Sequence, residues 1–228
     1  MEPWNNPLFG VSLTVGLYTA MSLLNRRWKW VNPLFFSAGL IILILLVTGI
    51  DHEAYQAGGQ LVSFFLGPAT VALAVPFVKQ MHAFRKHRLG ILTGVIAGSV
   101  LGILSAGGIA WLCGGQMEVI LSMIPKSVTS PISAELSREL GGIPGLTVVV
   151  TVLAGLLGNL FGYSLLKKMN IDDPVARGVA MGTAAHGIGT ARALQESPVD
   201  GGMSSFAMAL AGVVTSILVI PLYGWLGP

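Results

Sequence analysis

Apolar runs of about 20 residues alternate with short polar connections along the chain, the length expected of helices that cross a bilayer. The runs fall at about 8–24, 32–50, 61–78, 89–112, 146–166 and 203–226. The pattern predicts an all-α polytopic membrane protein with about six transmembrane helices. The connections differ in charge. NRRWK (25–29) holds three positive charges, KQMHAFRKHR (79–88) four, and KKMNIDDPVAR (167–177) three against two aspartates. DHEAYQAGGQ (51–60) and CGGQMEV (113–119) hold no positive charge beyond one histidine. Basic loops prefer the cytoplasm. This places 25–29, 79–88 and 167–177 inside and both termini outside.

That orientation leaves two stretches that are not spans. With 113 outside and 146–166 running inward, residues 119–145 must leave and return on the outer side. With 177 inside and 203–226 running outward, residues 178–200 must do the same on the inner side. Both are too apolar for solvated loops and are rich in Gly, Pro, Ser and Thr. They read as two re-entrant or broken-helix elements, which a bilayer tolerates only where protein or a water-filled cavity surrounds them. A weak internal repeat has the same form. A shift of 57 residues carries 89–112 onto 146–169 and then onto 203–226, and Gly98 onto Gly155 and Gly212. Each unit is a broken element followed by a glycine-rich helix, an arrangement that secondary transporters build as inverted repeats. Gly94, Gly98 and Gly102 share one helix face, as do Ala154, Gly158 and Gly162. Close helix packing is the expected role of both faces. Residues 1–60 are expected to form scaffold-like N-terminal helices and 61–228 a transport core.

Composition adds exclusions. Only 23 of 228 residues are charged and 53% are hydrophobic, where a soluble domain carries about a quarter charged residues. The pI of about 9.2 would suit a nucleic-acid binder, but the basic residues sit in loops beside apolar runs. Topology explains them, and no nucleic acid is expected. Cys113 is alone, which excludes a disulfide framework and a cysteine metal site. The start, MEPWNNP, has no basic region before its apolar run, so a cleavable signal peptide is not expected. No GxSxG, HExxH, P-loop or paired-cysteine pattern occurs. No enzyme activity, cofactor or metal is expected.

The candidate chemistry lies in the two broken elements. In SMIPKSVTSPISAELSREL (122–140), Ser130 before Pro131 predicts a helix start, with Ser130 as N-cap and a short helix over about 131–140. The PKSVTS turn would then offer free N–H groups and a positive dipole end to an anion. Lys126, Ser127, Thr129 and Ser130 would line it. In MGTAAHGIGTARALQE (181–196), Gly187 and Gly189 permit a tight turn around Ile188. Thr190 would cap a second short helix, and Arg192 in its first turn would clamp a carboxylate with a bidentate fork. The structural alternative for Arg192 is Glu196, four residues on. Thr183 and His186 complete the set. His186 is either a titrating group for proton coupling or a neutral, hydrogen-bonded packing residue. Asp200 is expected in a solvated turn, SPVDGG. The GxGxxA in HGIGTARA is not a dinucleotide site, because no strand precedes it.

The segments NPLFFSAGLIILILLVTGIDHEAY, LGPATVALAVP, IPKSVTSPIS, GGIPGLT and ARGVAMGTAAHGIGTARALQE resemble the LrgB/CidB family of antiholin-like membrane proteins over almost the whole chain. The resemblance implies two functions. Bacterial members are described as regulators of murein hydrolases and lysis that act with a small LrgA/CidA-type holin-like partner. Plastid relatives are glycolate/glycerate translocators, and some bacterial pairs are linked to pyruvate uptake. The residues favour a carrier for small carboxylates in the inner or plasma membrane, with alternating access and a proton as the candidate coupling ion. A homo-oligomer, a dimer, is the expected assembly.

Overall fold

A computed structural model describes residues 4, 6–28, 31–65, 68, 71–72 and 74–226, the last with backbone alone at 77, 220 and 222–226. Every described regular element is a helix. The chain divides into two compact units, 1–72 and 73–228.

The first unit holds α1 (Pro7–Arg27), α2 (Pro33–Thr48) and α3 (His52–Phe64). Asn6, Asn32 and Asp51 cap the three N-termini through their side chains, satisfying N–H groups that have no partner within the helix. Gly10 and Gly58 let α1 and α3 cross with backbone against backbone, and Thr14 Oγ1 meets Tyr55 Oη at 2.9 Å across that crossing.

The second unit holds α4 (Ala74–Lys79), α5 (Met81–Leu112), α6 (Met117–Met123), α7 (Ser130–Leu140), α8 (Pro144–Lys168), α9 (Pro174–Glu196) and α10 (Pro198–Leu226). Four described helices are long and apolar enough to cross a membrane: α1, α5, α8 and the 198–219 part of α10. The shorter α2 is apolar as well. The expected span at 61–78 is not one described helix. The third helix ends at Phe64, and residues 66–67, 69–70 and 73 lie outside the described set.

The α8 helix shows how the second unit is built. One face carries Thr147, Thr151 and Gly155, all buried. Val149, Leu153, Leu157, Phe161 and Leu165 are all exposed. This pattern is the reverse of a soluble helix: small and polar residues pack inward and large apolar ones point out, as lipid requires. At about 1.5 Å per residue the helix is some 37 Å long, enough to span a hydrocarbon core of about 30 Å.

Each of the two stretches holds an interruption of regular helix. The first is α6, a turn at 124–129, and α7. The cap of α7 is Thr129, one residue before the expected Ser130, because Thr129 is the last residue with extended backbone (ψ 148°). The second is α9, whose regular backbone is interrupted at His186 (φ 41°, ψ −135°). There the chain folds back. A Cβ on Gly189 would lie 2.8 Å from the Met181 carbonyl, although eight residues on a continuous helix are about 12 Å apart. The reversal therefore falls on His186 and not on the Gly187–Gly189 turn. Neither glycine takes a positive φ. Thr190 is not a cap: its hydroxyl donates to the His186 carbonyl at 2.8 Å, inside the second arm.

The arm 174–185 runs beside α10 with almost no side chain between the backbones. A Cβ on Gly178 or Gly182 would strike the Asp200 or Ser204 carbonyl. Gly182→Ala is therefore expected to destabilise the folded protein by roughly 1–3 kcal/mol, as overpacking does. Gly16→Ala, in open space on α1, is expected to be neutral or to stabilise by up to about 1 kcal/mol. Thermal unfolding in detergent checks both.

Candidate functional site

The two breaks meet at the middle of α8. Thr147 and Thr151 donate to Ser137 Oγ (2.7 Å) and Ser133 Oγ (3.0 Å). These bonds lay α7 antiparallel to α8 with its N-terminus near the α8 midpoint. Thr151 also uses its carbonyl, which accepts from His186 Nε2 at 2.9 Å. Asn159 Nδ2 donates to the Ile188 carbonyl at 3.2 Å. A Cβ at Gly155 would overlap the imidazole, so the glycine makes room for it. His186 is buried, and its bond to a carbonyl fixes Nε2 as the protonated nitrogen. It holds a backbone conformation that favours glycine, and such an outlier persists only where its surroundings enforce it.

On the other side both elements rest on the glycine face of α5. A Cβ at Gly98 would lie 2.9 Å from Thr183 Cγ2, and one at Gly102 3.3 Å from Ser127 Oγ. A cavity of about 1020 Å³ opens along this seam. Gly94, Gly98 and Gly102 line it along α5, and Lys126, Ser127 and Thr183 line it from the broken elements. Arg85, Lys86, His87 and Arg88 line it from one end of α5, where they are exposed. Asp173 is the only acidic residue in the lining. Residues 85–88 of one predicted cytoplasmic loop and 173, 175 and 176 of another thus share one end of the cavity.

Lys126 is half-buried and donates to Ser127 Oγ at 3.2 Å. Among the described residues no carboxylate pairs with it. In the same lining, Thr183 is 6% exposed, and its hydroxyl oxygen has no hydrogen-bond partner. The only other described side-chain atom in that state is Ser99 Oγ, on α5. Buried polar groups are nearly always paired, so an uncompensated ammonium and a vacant hydroxyl in one lining describe an acceptor for a polar anion. No group of three His, Cys, Asp or Glu that could hold a metal occurs among the described residues.

The other expected site residues lie elsewhere. Thr129 and Ser130 begin α7 outside the cavity lining. His186, Gly187, Gly189 and Thr190 form the tip of the α9 hairpin; Thr190 also meets Ser204 Oγ at 2.9 Å. Arg192 pairs with Glu196 and lies 5.5 Å from the centre of the Tyr163 ring, away from the lining. Asp200 is not in a solvated turn. It is fully buried in the first turn of α10. It accepts from Arg177 Nε (3.1 Å) and Nη2 (3.0 Å), from Tyr163 Oη (3.0 Å) and from Ser197 Oγ. The Arg177–Asp200 pair raises the Arg177 pKa above its ordinary value, chiefly through the hydrogen bond to the carboxylate. It clasps the base of the hairpin to α8 and α10. Two signals were available in the sequence: Thr147 and Thr151 as polar residues one turn apart in an apolar helix, and the arginine and aspartate that flank the second broken element.

Comparison with known proteins then supplies the family. The LrgB-like family matches residues 14–225. The chain belongs to the LrgB-like family. It is 37% identical to the uncharacterized protein YxaC of Bacillus subtilis over 218 residues, covering 95% of this chain and 94% of that one. An uncharacterized protein of Haemophilus influenzae is 36% identical over 205 residues, covering 89% and 88%. YwbG of Bacillus subtilis, also uncharacterized, is 37% identical over 206 residues, covering 89% and 91%. No solved structure matches the chain. Family membership and the four apolar helices make it a membrane protein.

Asp200→Asn removes one partner of a buried ion pair and is expected to destabilise the protein by about 3 kcal/mol. Arg192→Ala breaks a pair whose members are each about a third exposed and is expected to cost under about 1 kcal/mol. Thermal unfolding of the two variants against wild type tests the ranking.

Proposed function

We propose that the protein is a carrier for small monocarboxylates of the glycolate, glycerate, pyruvate or lactate class in the inner or plasma membrane. One observation carries this reading: Lys126, with no carboxylate partner, and the unpartnered Thr183 hydroxyl line one cavity rich in positive charge. The ammonium takes the carboxylate, and Ser127 and Thr183 bond its oxygens or the neighbouring hydroxyl or oxo group. The cavity mouth faces the cytoplasm, where its basic residues are stable. In this reading α6–α7 and the α9 hairpin are re-entrant elements from opposite sides, and six segments span the membrane. Alternating access closes the cytoplasmic mouth and opens the opposite side around Lys126. Arg192 holds the hairpin base rather than the ligand.

Uptake of labelled glycolate, glycerate, pyruvate and lactate into proteoliposomes tests the proposal. Saturable uptake of at least one acid is expected. Lys126→Ala is expected to lower kcat/KM by at least about 30-fold, equivalent to about 2 kcal/mol. Thr183→Val is expected to lower it about 5- to 10-fold, and Arg192→Ala to retain most of the activity. No uptake by well-folded wild type, with or without an added LrgA-type protein, contradicts the proposal and leaves regulation of murein hydrolases ahead.

His186 serves the fold in this reading, and a coupling proton does not pass through it. His186→Gln keeps a donor for the Thr151 carbonyl, so the pH profile of uptake is expected to match wild type. A displaced profile assigns the titration to His186.

A further inference from the structure

We propose that Arg85, Lys86 and Arg88 form an outer anion subsite at the cavity mouth, which captures a small carboxylate before it passes to Lys126. The proposal rests on the carrier reading and adds a second stopping place to it. Seven consecutive residues, Arg85–Ile91, line the same cavity, and the first four carry three cations and a histidine. The backbone of α5 departs from helical geometry at His87 (φ −114°, ψ 15°), within the basic cluster at the mouth. None of the three cations has a carboxylate partner among the described residues.

Topology alone would put basic residues in this connection, but topology does not require them to line a cavity. Lys79, in the same connection, does not. The opposing charge in the lining is Asp173, whose carboxylate caps α9 by accepting from the Ala176 N–H at 2.8 Å. From Arg88 to Gly102, which faces Ser127, is about 21 Å along the helix. Screening at physiological salt acts over about 8 Å. The mouth cations therefore act on an anion that is entering, separately from one already held by Lys126. Their effect belongs in the capture rate and its dependence on salt.

The same cations would also suit the phosphate of an anionic lipid, so the test uses two bilayers. Full-length protein is reconstituted in phosphatidylcholine alone and with phosphatidylglycerol. Uptake of labelled pyruvate and glycolate is followed at low and high ionic strength. At low salt, Arg85→Gln with Arg88→Gln is expected to lower kcat/KM about 3- to 10-fold. Asp173→Asn, which keeps the cap because Asn caps as well as Asp, is expected to raise kcat/KM. Lys79→Gln is expected to match wild type, and all differences are expected to shrink at high salt in both bilayers. A double variant indistinguishable from Lys79→Gln overturns the subsite and leaves the carrier reading standing. An effect confined to phosphatidylglycerol bilayers also overturns it, and assigns the cluster to lipid headgroups. Absence of uptake by wild type overturns the carrier reading and the subsite together.

Discussion

Thr151 bonds to side chains of two other elements through its hydroxyl and its carbonyl. Its hydroxyl donates to Ser133 on α7 and its carbonyl accepts from His186 on α9. In a low-dielectric interior such bonds are hard to replace, since a broken helix has no water to satisfy it. Both interrupted elements are thereby fixed to one long helix at one level, near its middle. The placement of Ser127 and Thr183 against a single glycine face of α5, with Lys126 in the same cavity lining, follows from that shared anchor.

The two sides of this arrangement differ in chemistry. Toward α8, hydrogen bonds join the broken elements to the helix at Thr147, Thr151 and Asn159. Toward α5, Thr183 and Ser127 closely approach the glycines Gly98 and Gly102. One face holds the elements by directional bonds and the other by shape. The Asp200 clasp with Arg177 and Tyr163 closes the base of the α9 hairpin, as Thr151 and Asn159 hold its tip. Between base and tip, small residues on α8 accept the hairpin: Gly158 faces Ala185 and Gly162 faces Met181.

Much of this was legible in the sequence, and what was missed has physical causes. The apolar runs and the charge of their connections predicted α1, α2, α5, α8 and α10 and located both interruptions. Proline and serine marked the start of α7 to within one residue. The reversal in α9 was assigned to glycines because they tolerate positive φ most readily, but His186 adopts it instead, held by a carbonyl 35 positions away that no local pattern reveals. Arg192 was expected to face a ligand because it opposes a helix dipole. The simpler pairing with Glu196 four residues on is the one that forms, and Tyr163 lies across it. Asp200 looked solvated because SPVDGG resembles a turn, yet the helix begins at Pro198 and buries the carboxylate against Arg177. The glycine stripe of α5 was read as packing; it packs and also lines the cavity, because glycine leaves space wherever a partner does not fill it.

The central claim is that the wall carrying Lys126, Ser127 and Thr183 holds a carboxylate. Thiol protection tests it most directly. Ser127→Cys in a Cys113→Ser background places one reactive group beside the ammonium. The rate of its modification by a small polar thiol reagent is measured with and without a saturating carboxylate that the protein takes up. The account predicts strong slowing by that acid and none by its uncharged amide. Equal rates under all three conditions would contradict it.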